Sequence, residues 1–147
     1  MNLSIQFAVV IGLLLLATVG GLIWKAKTGT AKKVTKGEVV DLKEIAAVKD
    51  GKPVTEFGER VTFLQFSSEV CSQCAQTARL FHELEAHHDD VLHIEVDITN
   101  RLDLANKFNI LQTPTTLVLD KNGVVTSRIG GAAKPQTIQD QLGSFHI

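Results

Sequence analysis

Hydrophobic and polar positions alternate with different periods along this chain, and each period predicts a different element. Leu3 to Trp24, LSIQFAVVIGLLLLATVGGLIW, has no charged side chain; as a helix rising roughly 1.5 Å per residue it would reach about 33 Å, the thickness of a bilayer core. The next stretch, Lys25 to Glu38, has no periodicity and reads as a linker. EVVDLKEIAAVKDGKPV predicts a short strand or helical turn ending in a turn at Asp50-Gly51. VTFLQF, Val61 to Phe66, is a β-branched and aromatic run of strand length, apolar enough to be buried on both faces. Ala75, Ala78, Phe81 and Leu84 then recur at a spacing of three, predicting an amphipathic helix from about Cys71 to His87.

VLHIEVD alternates as a second strand, Val91 to Asp97, and Leu102, Leu104, Ala105 and Phe108 suggest a short helix after it. A third strand follows Pro114. Asp120-Lys121-Asn122-Gly123 is a hairpin signal, so the third and fourth strands should be antiparallel neighbours. Lys134-Pro135 opens a closing helix to about Phe145, with proline in the first turn. The order implies an α/β domain, a mixed central sheet flanked by helices and preceded by one transmembrane helix. The expected organisation is a membrane anchor at residues 1–24, a juxtamembrane linker at 25–37 and a folded domain at 38–147.

Composition and charge refine this picture only locally. The 147-residue chain has a formal net charge of -1, which gives no reason to expect nucleic-acid binding. A cleaved signal peptide is the alternative to an anchor, but the apolar run is long, lacks a preceding Lys or Arg and has no Ala-x-Ala site after it. Lys25, Lys27, Lys32, Lys33 and Lys36 all follow the span. That asymmetry predicts a single-pass cell-membrane protein with its domain in the cytoplasm, the extracytoplasmic face being the alternative.

The candidate chemistry lies in SSEVCSQCAQ, which contains both cysteines, Cys71 and Cys74. At the start of a helix, Cys71 meets unpaired backbone N–H groups and the positive end of the helix dipole, which favour its thiolate. Cys74 lies one turn on, on the same side. The outer sulfur can serve as nucleophile and the inner one as resolving thiol. A metal site would need more ligands; His82 is a turn or two away, but no second Cys or Cys/His pair accompanies it, so no metal or cofactor is expected. A purely structural bridge closing so short a loop would remove little chain entropy.

VTFLQFSSEVCSQC, the helix after it, IEVDI, and FNILQTPTTLVLDKNGVVTSRIGGA together resemble the thioredoxin superfamily over about residues 38–147. The resemblance implies a thioredoxin-like fold and a dithiol that exchanges with protein thiols or disulfides. It also implies a cis peptide at Thr113-Pro114, in a loop facing the cysteines and pairing with an extended substrate segment. Departures are specific. Thioredoxins usually place Trp before the first cysteine and Gly-Pro between the two; here those positions hold Val70 and Ser72-Gln73. The family's buried acid, six residues before the first cysteine, is Gln65, and its lysine partner falls at His93. His93 and Gln65 are candidates for a proton relay, the alternative being a buried histidine hydrogen-bonded to Gln65 or backbone. His82, His87 and His88 read as surface residues, and Glu69 as a loop acid.

These readings lead to a membrane-tethered thiol–disulfide oxidoreductase with membrane-proximal protein partners, Cys71 attacking and Cys74 resolving. A non-catalytic adaptor or redox sensor on the same fold is the second expectation, and the sequence leaves oligomeric state open.

Overall fold

The computed structural model describes residues 2–145. Helix α1, Leu3–Lys27, buries none of its side chains against the rest of the chain. It is long and apolar enough to cross a membrane, a description that an N-terminal signal sequence also meets. The folded domain then runs β1 (Ala31–Lys33), α2 (Leu42–Ile45), β2 (Val48–Lys49), β3 (Lys52–Pro53), β4 (Val61–Ser67), α3 (Ser72–His87), β5 (Val91–Asp97), α4 (Leu102–Lys107), β6 (Thr115–Leu119), β7 (Val125–Gly130) and α5 (Pro135–Ser144).

Five strands form one sheet in the order β1-β7-β6-β4-β5, with β4 and β5 parallel and the other neighbours antiparallel. The mixed, helix-flanked sheet expected from the sequence is present. Every residue of β4 is buried, as expected of a central strand rich in β-branched and aromatic residues, and the burial includes the polar Thr62, Gln65 and Ser67. Strand alternation divides those residues between two cores. Leu64 and Phe66 join Ile45, Ile94, Leu104, Phe108 and Leu117 on one side. Val61 and Phe63 pack with Phe81, Leu84, Ile129, Ile138 and Leu142 on the other.

Two local expectations change, at residues 25–37 and at Ala75. Residues 25–37 are not a free linker: α1 continues to Lys27, and β1 pairs with β7 through Ala31↔Ile129, Lys32↔Arg128 and Lys33↔Ser127. An edge strand of sequence AKK is held by backbone hydrogen bonds, so it leaves no hydrophobic pattern to read. The stretch before β4 forms α2, capped by Asp41 accepting from Lys43 N, and a β2–β3 hairpin turning through Asp50 and Gly51 at φ 51 and 76°. On α3 the inward face is Cys74, Thr77, Ala78, Phe81 and Leu84, while Ala75 faces solvent.

Candidate functional site

The site is built where β4 ends. Its last residues lead through Ser68–Val70 into α3, and Cys71 is the N-cap of that helix rather than its first helical residue. Cys71 Sγ accepts from the Cys74 backbone N–H at 3.1 Å. A donor aimed at that sulfur stabilises negative charge on it, which is the condition a nucleophilic thiolate needs. Cys71 and Cys74 are joined in a disulfide with Cα atoms 5.3 Å apart. Their surroundings differ: Cys71 is half-buried and lines an open cleft of about 330 Å³ with Ser68, Val70, Ser72, Gln73 and Thr113, whereas Cys74 is 2% exposed. Only the first sulfur is open to a partner.

Strand pairing brings Thr113 and Pro114 to this cleft. Thr115 of β6 lies opposite Phe66 of β4, so the loop before β6 meets the loop after β4. The Thr113-Pro114 peptide is cis. Ser68 Oγ and Thr113 Oγ1 are 3.1 Å apart and tie the two loops together. Nothing in the sequence singles out Ser68; a hydroxyl pair joining two loops leaves no trace in a single chain of letters. Glu69 N donates to Thr99 Oγ1, which fixes the remaining loop from the β5 side.

Beneath Cys74, Gln65 and His93 meet on the face of the sheet that α3 covers. Gln65 Nε2 donates to the Cys74 carbonyl oxygen at 2.9 Å, and its Oε1 lies 3.0 Å from His93 Nε2. Since the amide oxygen only accepts, His93 carries its proton on Nε2. Burial pushes the His93 imidazole down to about 3, and the neighbouring His82 and Lys49 add to the shift. The imidazole is therefore neutral at physiological pH. It also stacks on Phe81, with ring centroids 5.0 Å apart. The hydrogen-bonded chain reaches Cys74 at its backbone carbonyl.

His82, Glu85 and His93 could each offer a ligand atom, all within 4.8 Å of one another. These groups are already engaged. Glu85 Oε1 pairs with the Lys49 ammonium and accepts from His93 N, and His93 Nε2 is held by Gln65. The Lys49 charge beside the carboxylate opposes a cation there. His82 and His87 are exposed and His88 is half-buried.

Comparison with known proteins agrees with this geometry. The thioredoxin family model matches residues 49–144. Thioredoxin of Bacillus subtilis (strain 168) is 29% identical over 93 residues, covering 63% of this chain and 88% of that protein. Rice thioredoxin H5 is 31% identical over 78 residues, 53% of this chain, and the matched part spans 57% of the rice protein. Oxidized mitochondrial thioredoxin 3 from Saccharomyces cerevisiae superposes with a TM-score of 0.51 at 20% identity, over 58% of this chain and 79% of its own, a likeness of fold. With the cysteine pair at a helix N-terminus, the cis-proline loop against it and the family match across both, the chain belongs to the thioredoxin family.

Proposed function

We propose that the protein is a membrane-tethered thiol–disulfide oxidoreductase acting on protein partners. The observation that carries this reading is the asymmetry of the cysteine pair: Cys71 opens to a cleft beside Thr113, and Cys74 is shielded one turn behind it. In the reducing direction, the Cys71 thiolate attacks one sulfur of a client disulfide, forming a Cys71–client bond as the client S–S bond breaks and one client thiolate leaves. The Cys74 sulfur then attacks Cys71. That step forms the Cys71–Cys74 disulfide, and the second client sulfur departs with the proton lost by Cys74. Two electrons pass from the dithiol to the client, and a dithiol donor must restore the protein. Exchange in the opposite direction uses the same atoms.

Thr113 and Pro114 would receive an extended client segment along the cleft. Gln65 and His93 fit a positioning role better than a relay, because a neutral amide and an imidazole with so low a pKa accept no proton near neutrality. They hold the Cys74 carbonyl, and with it the first turn of α3.

Helix α1 supports tethering. Gly29 N donates to Gly130 O, and Lys134 Nζ donates to Ala26 O, so the chain is folded into the domain directly where the helix ends. The lysines after the span favour a cytoplasmic domain, where thiols are kept reduced. Labelling of intact cells with a membrane-impermeant thiol reagent should leave reduced Cys71 untouched; labelling would place the domain outside.

The activity test is reduction of a test disulfide by the full chain in detergent, compared with Cys71→Ser and Cys74→Ser. Wild type should turn over, Cys71→Ser should not, and Cys74→Ser should accumulate mixed disulfides in membranes. Wild type no faster than Cys71→Ser would replace the enzyme by a non-catalytic adaptor.

A further inference from the structure

The register of the sheet fixes where the apolar helix leaves the domain relative to the cysteines, and the two lie at the same end. Ala31, the first residue of β1, pairs with Ile129 near the end of β7; Gly130 pairs with Thr115 at the start of β6; Thr115 pairs with Phe66 near the end of β4. One edge of the sheet therefore carries the end of α1, the cis-proline loop and the loop leading to Cys71. β1 and β4 are three strand spacings apart, roughly 14 Å.

The junction at that edge is a fitted one. Gly29 is buried at φ 75°, and a Cβ there would collide with the Ala132 carbonyl oxygen; a Cβ on Gly131, at φ 82°, would collide with Thr28. Gly131 N donates in turn to Pro114 O at 2.8 Å. Two consecutive hydrogen-bonded contacts thus link the helix end to the cis-proline loop. Because α1 buries no residue on the domain, it projects away from this edge instead of folding back beside the sheet. Lys25 to Thr30 are all that separate Trp24, the interfacial aromatic, from β1. On the same edge Val70 is 97% and Leu111 87% exposed, and Leu111 shares a cleft with Trp24, Lys27 and Lys32. Apolar tips with cationic side chains suit the boundary between headgroups and acyl chains.

We infer that the redox edge of the sheet faces the bilayer, so that the disulfide served by Cys71 is carried on the juxtamembrane stretch of a membrane-spanning protein, at headgroup level. The client assignment rests on the oxidoreductase reading; the orientation does not. A globular client approaching from bulk solvent meets the opposite end of the domain, where Asn122 lies in the β6–β7 turn.

Two measurements on the full chain in phosphatidylcholine–phosphatidylglycerol vesicles test this. In a Cys71→Ser/Cys74→Ser background, an environment-sensitive fluorophore is placed at Leu111→Cys or at Asn122→Cys, and quenched with headgroup-nitroxide lipid. The two ends of β6 are about 17 Å apart, so quenching should be strong at 111 and weak at 122; equal quenching, or the reverse, overturns the orientation. Separately, reduced wild type is offered a disulfide placed immediately after the span of a transmembrane peptide, or the same disulfide beyond a flexible Gly/Ser spacer of about 30 residues. The near disulfide should react about tenfold faster through its higher effective concentration. Equal rates overturn the client class. No reaction with either peptide or with a small soluble disulfide removes the oxidoreductase reading and the client class with it, while the quenching still decides the orientation.

Discussion

Cys71 and Cys74 are one helical turn apart on α3, yet they belong to different regions of the molecule. Around Cys71 the protein is open: Val70 is almost fully exposed, Thr113 lines the same cleft, and the contact to the sulfur is a backbone N–H. Around Cys74 it is closed, with the side chain buried and the carbonyl held by Gln65, which is held by His93, which stacks on Phe81. One short motif thus joins an open sulfur to a buried one, the division that the proposed exchange would use. Changes on the open side should alter exchange with little effect on folding, and changes on the closed side should alter folding first.

The largest effect is expected at the sulfurs. Cys71→Ser should bring exchange with any disulfide to background, because the hydroxyl is not nucleophilic at neutral pH. Its thermal unfolding under reducing conditions should stay close to that of the reduced wild type. If reduced Cys71→Ser is strongly destabilised, Cys71 belongs to the closed side and the division is wrong.

Next in size is Phe81→Ala, on the closed side. Phe81 is fully buried between Phe63, with ring centroids 4.7 Å apart, and His93. Its truncation should cost about 3–5 kcal/mol in urea unfolding. A much smaller cost would mean that the pocket beneath α3 collapses readily, and that Cys74 is not held by a rigid floor.

Much of this division is legible in the amino-acid sequence. β4 announces itself through the β-branched and aromatic run Val61 to Phe66, and the helix after the cysteines through its period, because burial on a sheet or against one helix face selects apolar side chains at fixed intervals. Asp120 to Gly123 marks the β6–β7 turn through local backbone chemistry. What the letters do not show is held together by the backbone or by single polar pairs. β1 is three residues with two lysines, and its place in the sheet is set by β7. Ser68–Thr113 and Glu85–Lys49 join positions far apart in the chain, and neither partner is unusual alone. At the site itself, the pairing of Gln65 with His93 is one of two readings open to the sequence; the carbonyl of Cys74 as its destination is not among them.

The pH dependence of stability isolates His93. Its imidazole is pushed down to about 3 by burial, whereas an unfolded histidine titrates near 6.5. Below pH 6.5 the unfolded chain therefore takes up a proton that the folded chain refuses until about pH 3. A depressed histidine pKa thus contributes stability that is present above the unfolded value and is lost on acidification. Between pH 7 and pH 5 the loss from this residue is about 2 kcal/mol. His93→Phe should keep the stack on Phe81 and remove that component, although it leaves Gln65 Oε1 without its donor at a cost of about 1–3 kcal/mol at every pH. The readout is the slope in paired urea titrations; an unchanged slope would mean that His93 is reached by water and protonates normally.

The smallest effect on folding, and the most direct on partner choice, belongs to Val70→Ser. At 97% exposure the valine makes no packing contribution that its removal could forfeit, so stability should move by less than about 0.5 kcal/mol. Its side chain stands at the mouth of the cleft, in the position where most of the family has tryptophan, and there a client segment would cover it. Desolvating a side chain of that size contributes about 1.5 kcal/mol, so KM for an apolar client peptide should rise about tenfold. Reaction with a small hydrophilic disulfide, which makes no such contact, should be unchanged. An equal slowing with both would place Val70 in support of the Cys71 sulfur, making it part of the chemistry and not of the surface that chooses the partner.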